Sequence, residues 1–237
     1  MPEIYFLGLD YPTDQIVPVG MGALDFLKSE FGDALSGKMG VKINDYALRR
    51  DFGNYKAFKD AMGCKIFGDI KICHGKNTGY RIIEEVAKDL PLDFVTVSSS
   101  LGSQILKEYV SEAAKDGIKI IGFTVHTKIP KEDVRRVHGR DVSDAIYELA
   151  QIAHESGCDA IVCEGKMLED PRITSLPIKK LVTGIRIDPV DKGAQARATS
   201  LEQLRSVRPN LDYVVISERY LNPENFDKLG EIIRALE

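Results

Sequence analysis

Asp69 and Lys71 stand two residues apart in the run from Lys65 to Lys71, an apolar stretch that reads as a buried strand. Residues two apart on a strand share a face, so a carboxylate and an ammonium lie side by side in apolar surroundings. Burying such a pair is costly unless the charges satisfy each other or act on a ligand. Asp10 closes the run Ile4 to Asp10, Lys42 lies within Gly40 to Ile43, and His74 follows Lys71 by three residues. A single ionisable group at a strand end is more often a structural ion pair or a solvated side chain than a catalyst. Asp10, Lys42, Asp69 and Lys71, from three consecutive runs, point instead to one charged site.

The elements that must position these groups follow a regular alternation. Apolar runs at Ile4 to Asp10, Gly40 to Ile43, Lys65 to Lys71, Phe94 to Ser98, Ile118 to Val125, Ala160 to Cys163, Lys180 to Ile185 and Tyr213 to Ser217 are separated by amphipathic stretches such as Gly102 to Asp116 and Asp141 to Ser156. Those stretches carry apolar residues at three- and four-residue steps and end near a glycine that can terminate a helix. Strands alternating with helices make βα units on a parallel sheet, and eight units predict an α/β fold closed as a (β/α)8 TIM barrel. The rival, an open doubly wound sheet, usually carries a Gly-x-Gly-x-x-Gly turn after its first strand, and none is present there. Barrel chemistry is done at the C-terminal strand ends and the loops beyond them, which is where the four charged residues converge.

Composition allows this and narrows the partners. The 237 residues are 43% hydrophobic and 29% charged, enough for a full core, and with no linker-like segment residues 1–237 read as one barrel domain. A formal net charge of −4 and the lack of a basic run exclude general attraction to nucleic acid or an anionic membrane. An anionic ligand therefore needs a locally positive pocket. Cys64, Cys73, Cys158 and Cys163 form no CxxC, and neither a signal-like leader nor a spanning apolar stretch is seen, so a reduced, cytoplasmic protein is expected. His126, His138 and His154 lack metal-ligand spacing with the cysteines, so no metal is assigned.

The segment from Asp69 through His74 to Asn77-Thr78 resembles the D-x-K-x-x-D-x-x-N-T signature of the orotidine 5′-monophosphate decarboxylase family. Gly8-Leu9-Asp10 resembles that family's first-strand aspartate and Val41-Lys42-Ile43 its second-strand lysine segment. Phe123 to Thr127, followed by Asp141 through Cys163, is similar to the fifth strand, helix and sixth strand of bacterial members. Thr183-Gly184-Ile185-Arg186 and Gly193 to Arg197 are similar to the seventh-strand segment and the phosphate loop with its glutamine. The matches run in family order across nearly the whole chain.

The resemblance implies a decarboxylation that uses no cofactor, in which loss of carbon dioxide from C6 of a pyrimidine leaves a carbanion and Lys71 protonates it. Asp69 would sit beside the departing carboxylate, while Lys42 and Asp10 hold the charge array and the ribose hydroxyls. Fixed opposite charges in a water-poor site stabilise such a carbanion without reorganising. Thr78, Thr127, Gly184 and Gln195 are implied as substrate-binding residues. The resemblance also implies a homodimer in which the segment after strand three reaches the neighbouring site.

Departures from the family pattern cluster around the ligand. His74 replaces the second strand-three aspartate, and an imidazole neither balances Lys71 nor accepts two ribose hydrogen bonds as a carboxylate does. Glu218 aligns with the phosphate-binding arginine, and Arg219 is the expected replacement if the loop carries one extra residue. Thr183 replaces a proline, Ser98 a strand-four histidine, and Lys128 a pyrimidine-contacting serine. Lys42 stands where sugar-phosphate decarboxylases and hexulose-phosphate synthases of the superfamily carry an acidic Mg²⁺ ligand, which argues against that branch. The expected partner is a phosphorylated small molecule, with orotidine 5′-monophosphate first. Another phosphorylated nucleotide or sugar, or a non-catalytic nucleotide-binding homologue, is the alternative.

Overall fold

The apolar runs become strands because both of their faces are covered, as parallel sheets require. A computed structural model describes residues 1–44, 56–187 and 199–237. Its strands are β1 (Ile4–Gly8), β2 (Met39–Asn44), β3 (Lys65–Ile72), β4 (Phe94–Ser98), β5 (Lys119–Phe123), β6 (Ala160–Glu164), β7 (Lys179–Thr183), β8 (Ile185–Arg186), β9 (Thr199–Ser200) and β10 (Tyr213–Ile216). Parallel pairing in the order β1-β10-β7-β6-β5-β4-β3-β2 closes a barrel, and β8 with β9 forms a separate two-stranded ladder. The helices are α1 (Thr13–Phe31), α2 (Lys56–Met62), α3 (Lys76–Asp89), α4 (Ser103–Lys115), α5 (Lys131–His138), α6 (Val142–Glu155), α7 (Pro171–Thr174), α8 (Leu201–Val207) and α9 (Phe226–Leu236). This is the expected (β/α)8 barrel. Among the described residues no helix is long and apolar enough to cross a membrane.

Alternation along each strand divides the apolar residues into two cores. Phe6, Phe67, Phe94, Ile121, Leu181 and Tyr213 fill the barrel interior. Their neighbours, such as Leu7, Val41, Val95 and Ile161, join the layer between strands and helices. Phe6 is central: its ring lies 5.1 Å from Phe67, 5.6 Å from Phe94 and 6.1 Å from Tyr213. Gly40 makes room for it, since a Cβ there would lie 2.5 Å from the Phe6 ring. On the outside, α6 packs the stripe Ala145, Ile146, Leu149, Ala150 and Ala153 against the sheet.

The N-terminal end of the barrel is stapled by acidic residues. Asp93 Oδ2 accepts the Ile66 N–H at 2.8 Å and Asp212 Oδ2 accepts the Lys180 N–H at 2.8 Å. Asp159 Oδ2 accepts the Tyr213 hydroxyl at 2.8 Å.

Strand ends depart from expectation at the opposite, C-terminal mouth. β1 stops at Gly8 and β5 at Phe123, so Asp10 and Val125 lie in the mouth loops. The seventh run does not continue to Ile185 in one ladder: Gly184 adopts φ 78°, a left-handed conformation natural to glycine, and turns Ile185–Arg186 out to pair with Thr199–Ser200.

Candidate active site

β1, β2 and β3 bring Asp10, Lys42, Asp69 and Lys71 into one line of alternating charge. Lys42 Nζ donates to Asp10 Oδ1 at 2.9 Å and lies 3.5 Å from Asp69 Oδ2. Lys71 Nζ donates to the same Asp69 oxygen at 2.7 Å. Asn44 closes the other end, its carbonyl accepting from Lys42 Nζ at 2.8 Å and its amide donating to Asp10 Oδ1 at 2.5 Å. The Lys42 side chain is only 8% exposed and that of Asp69 14%, against 34% for Asp10 and 36% for Lys71, so the inner pair is sealed and the outer groups meet solvent.

Burial and charge pull in opposite directions on the inner pair. Burial pushes the Lys42 ammonium toward losing its proton, but Asp69 and Asp10 more than offset this and its pKa is raised. Burial likewise pushes Asp69 upward, yet Lys42, Lys71 and the hydrogen bonds from Lys71 and Thr96 hold its carboxyl below the usual range. Both groups therefore keep their charge at neutral pH without bulk water.

Asp69 and Lys71 do not meet through a simple pleat. Gly68 pairs with Val95 and Ile72 with Val97, so four residue steps on β3 face two on β4. The surplus is taken up by a bulge in which Lys71 has φ 53°, the only positive φ outside glycine among the described residues. The bulge aims the Lys71 side chain back at Asp69 and to within 5.9 Å of the Phe123 ring centroid.

These groups open on a cavity of about 200 Å³ at the C-terminal mouth. Asp10, Lys42, Asp69, Lys71, Thr127, Lys128 and Gly184 all line it. His74, Thr78 and Arg219 do not, and His74 and Thr78 are exposed at the start of α3 and just before it. Glu218, rather than Arg219, forms the wall beyond β10. The reason is local: Glu218–Tyr220 is a 3₁₀ turn, which rotates about 120° per residue and points neighbours in different directions. Ser217 Oγ donates to Glu218 Oε2 at 2.7 Å, and the Arg219 carbonyl accepts from Asn225 Nδ2 at 2.9 Å. Gln195 lies outside the described residues.

Three contributors escaped the sequence reading. Asn44 follows Lys42 by two residues, the same spacing as Asp69 and Lys71, so the pattern was available. His126 lines the cavity with its Nδ1 accepting the Lys128 N–H at 3.1 Å; reading histidines only for metal spacing passes over it. Thr96, on the inward face of β4, contacts Asp69 and the Lys71 backbone.

Residues 7–217 match the sequence model described as the Orotidine 5′-phosphate decarboxylase / HUMPS family. The chain belongs to this family. An orotidine 5′-phosphate decarboxylase of Nautilia profundicola is 27% identical over 190 residues, covering 78% of this chain and 80% of the relative. One from Bacillus cereus is 25% identical over 236 residues, covering 95% and 93%. The crystal structure of orotidine 5′-monophosphate decarboxylase from Methanocaldococcus jannaschii, complexed with the inhibitor BMP, superposes with a TM-score of 0.71 over 100% of this chain and 99% of that one. At 16% identity that likeness speaks to the fold. Family and relatives together mark the chain as a decarboxylase, a carboxy-lyase.

Proposed function

We propose that this member of the family converts orotidine 5′-monophosphate to uridine 5′-monophosphate and carbon dioxide in pyrimidine nucleotide synthesis, without a cofactor and with Lys71 as proton donor. The observation that carries this reading is the line of alternating charge Asp10, Lys42, Asp69, Lys71, buried at its centre, in which one carboxylate is shared by two ammoniums at the edge of a cavity. With the substrate carboxylate beside Asp69, like charges meet in the ground state and that repulsion disappears as carbon dioxide leaves. The C6–carboxylate bond breaks, its electron pair stays on C6, and Lys71 Nζ gives a proton to C6. Lys71 then regains a proton from solvent. The fixed ammoniums act where negative charge develops, and so favour the transition state over bound substrate.

The other residues take supporting roles. Asp10 receives the ribose hydroxyls, Thr127 and Lys128 border the base, and Gly184 with Gln195 receives the phosphate. Arg219 is retained as a phosphate ligand only if substrate binding turns it toward the cavity. His74 and Thr78, exposed here, would serve the second site of a cytoplasmic homodimer. The Lys42 ammonium stands between Asp10 and Asp69 where a divalent cation would have to bind, so this donor set does not fit a magnesium site.

Glu218 on the cavity wall favours a second reading, a different phosphorylated nucleotide or sugar, because a carboxylate repels a phosphate at the position where the family has an arginine. Loss of orotate absorbance on incubation with orotidine monophosphate decides between the two. Turnover abolished by Lys71→Ala supports the first reading, and full activity in that variant would end it. A silent wild type that His74→Asp makes active would place the histidine as the residue that changed the substrate. A silent protein that binds the nucleotide would be the non-catalytic homologue.

A further inference from the structure

We propose that Thr96 is a positioning residue whose single hydroxyl fixes both halves of the reacting pair, the Asp69 carboxylate and the Lys71 backbone. The inference rests on the reading of Asp69 and Lys71 as that pair. Along β4 the inward residues are Phe94, Thr96 and Ser98, while Val95 and Val97 pack outward, so Thr96 stands directly above the aromatic plug. It is fully buried, at 0% exposed. Its Oγ1 accepts the Lys71 N–H at 2.8 Å and donates to Asp69 Oδ1 at 3.0 Å.

The direction of both bonds is forced. An ionised carboxylate only accepts and a backbone N–H only donates, so the hydroxyl proton must go to Asp69 and a lone pair must receive Lys71. Asp69 thereby spends Oδ1 on Thr96 and keeps Oδ2 for the two lysines, which fixes the rotation of the carboxylate. The Lys71 N–H is held at the one non-glycine residue with positive φ among the described residues, a conformation that persists only where surrounding contacts impose it. Valine has the same shape as threonine and can do neither. Thr96 thus couples the bulge that aims Lys71 to the carboxylate it is aimed at.

Thr96→Val and Thr96→Ser test this. The valine variant is expected to lower kcat about 10- to 100-fold, the scale of a small misplacement of reacting groups. KM should change by less than about threefold, and Thr96→Ser should restore kcat. Two readouts need no turnover. The Lys71 amide should exchange faster with solvent in the valine variant and not in the serine variant, and the Asp69 carboxyl should titrate closer to the usual range by carbon-13 NMR. If the valine variant fails to fold, Thr96→Ala removes the same hydroxyl and is read the same way. Wild-type kcat, or unchanged Lys71 exchange, in a variant lacking the hydroxyl would overturn the proposal. A wild type that does not turn over orotidine monophosphate would overturn the decarboxylase reading instead, leaving exchange and titration to decide on Thr96.

Discussion

Lysine and carboxylate side chains pair at both ends of this barrel, and their surroundings differ. At the N-terminal end Lys65 reaches Asp93 at 3.1 Å, Lys119 reaches Asp159 at 3.2 Å and Lys179 reaches Glu3 at 2.7 Å, with lysine side chains 46%, 52% and 33% exposed. There the second oxygens of Asp93 and Asp159 are used by the Ile66 N–H and the Tyr213 hydroxyl, and two ammoniums rest over the rings of Phe94 and Tyr213. Such charges are satisfied by protein and water, and they tie strands together. At the C-terminal mouth Asp69 serves two lysines, as Asp93 does with Lys65 and Lys59 at the other end, but at the mouth the inner lysine is 8% exposed and the group faces a cavity. Exposed pairs are screened and contribute little, whereas the same charges in a drier site exert a stronger field on anything that enters. Residue type does not separate a staple from a catalytic array; burial and an open face toward a cavity do.

The sharpest break of the comparison is at Lys71. Lys71→Ala should lower kcat for orotidine monophosphate by about 10²- to 10⁴-fold, the usual range for loss of a positioned proton donor. Lys179→Ala, made at the other end, should leave kcat within about twofold, since Lys179 is as exposed as Lys71 but does not line the cavity. Equal losses from the two changes in steady-state assays would refute the distinction.

Lys42 tests the stability side. Lys42→Met leaves Asp10 and Asp69 without their shared cation, and breaking a buried pair in this way should cost about 3 kcal/mol. Urea unfolding of wild type and variant measures it, and a change below about 1 kcal/mol would place Lys42 among the staples.

How far the sequence foretells these differences depends on the range of the interactions. Strands such as Phe94–Ser98 were legible because parallel strands buried on both faces read as unbroken apolar runs, and α4 and α6 because their apolar stripes recur at helical spacing. The proximity of Asp69 and Lys71 was legible from spacing, but its cause was not. The bulge arises from how β3 registers against β4, and spacing along one strand carries no information about its partner. Thr96 looks like any inward β residue until β3 is laid beside it. The turn Glu218–Tyr220 puts Glu218 rather than the expected Arg219 on the cavity wall through rotation within a single short element, which spacing alone cannot register.

Acid and base should act on the mouth in opposite senses. Asp69 has its pKa held below its ordinary 3.8, so the folded state binds the proton more weakly than the unfolded chain. Its contribution to stability is present above the unfolded pKa and is lost as pH falls through the folded one. Lys42 has its pKa raised above 10.5, so its contribution is present below that value and is lost as pH rises through the folded pKa. The stability gap between wild type and Lys42→Met should therefore be flat from about pH 5 to 9 and narrow outside that window. A gap that changes steadily between pH 6 and 8 in chemical unfolding would assign it to other groups.

The smallest effect is expected at the N-terminal end, and it is the control that gives the others meaning. Lys119 is 52% exposed and lies 3.2 Å from Asp159 and 5.6 Å from the Phe94 ring centroid. Asp159, 17% exposed, keeps the Tyr213 hydroxyl when the lysine is removed, so its charge stays hydrogen-bonded. Lys119→Met should then change unfolding free energy by about 0–1 kcal/mol, and raising salt should shrink even that difference because exposed charges are screened within about 10 Å at 0.1 M. The Lys42→Met effect should persist in the same salt series, its charges being shielded from mobile ions by the barrel. A parallel decline of both effects with salt would mean that the mouth is as wet as the opposite end, and the electrostatic basis for catalysis at Asp69 and Lys71 would fail with it.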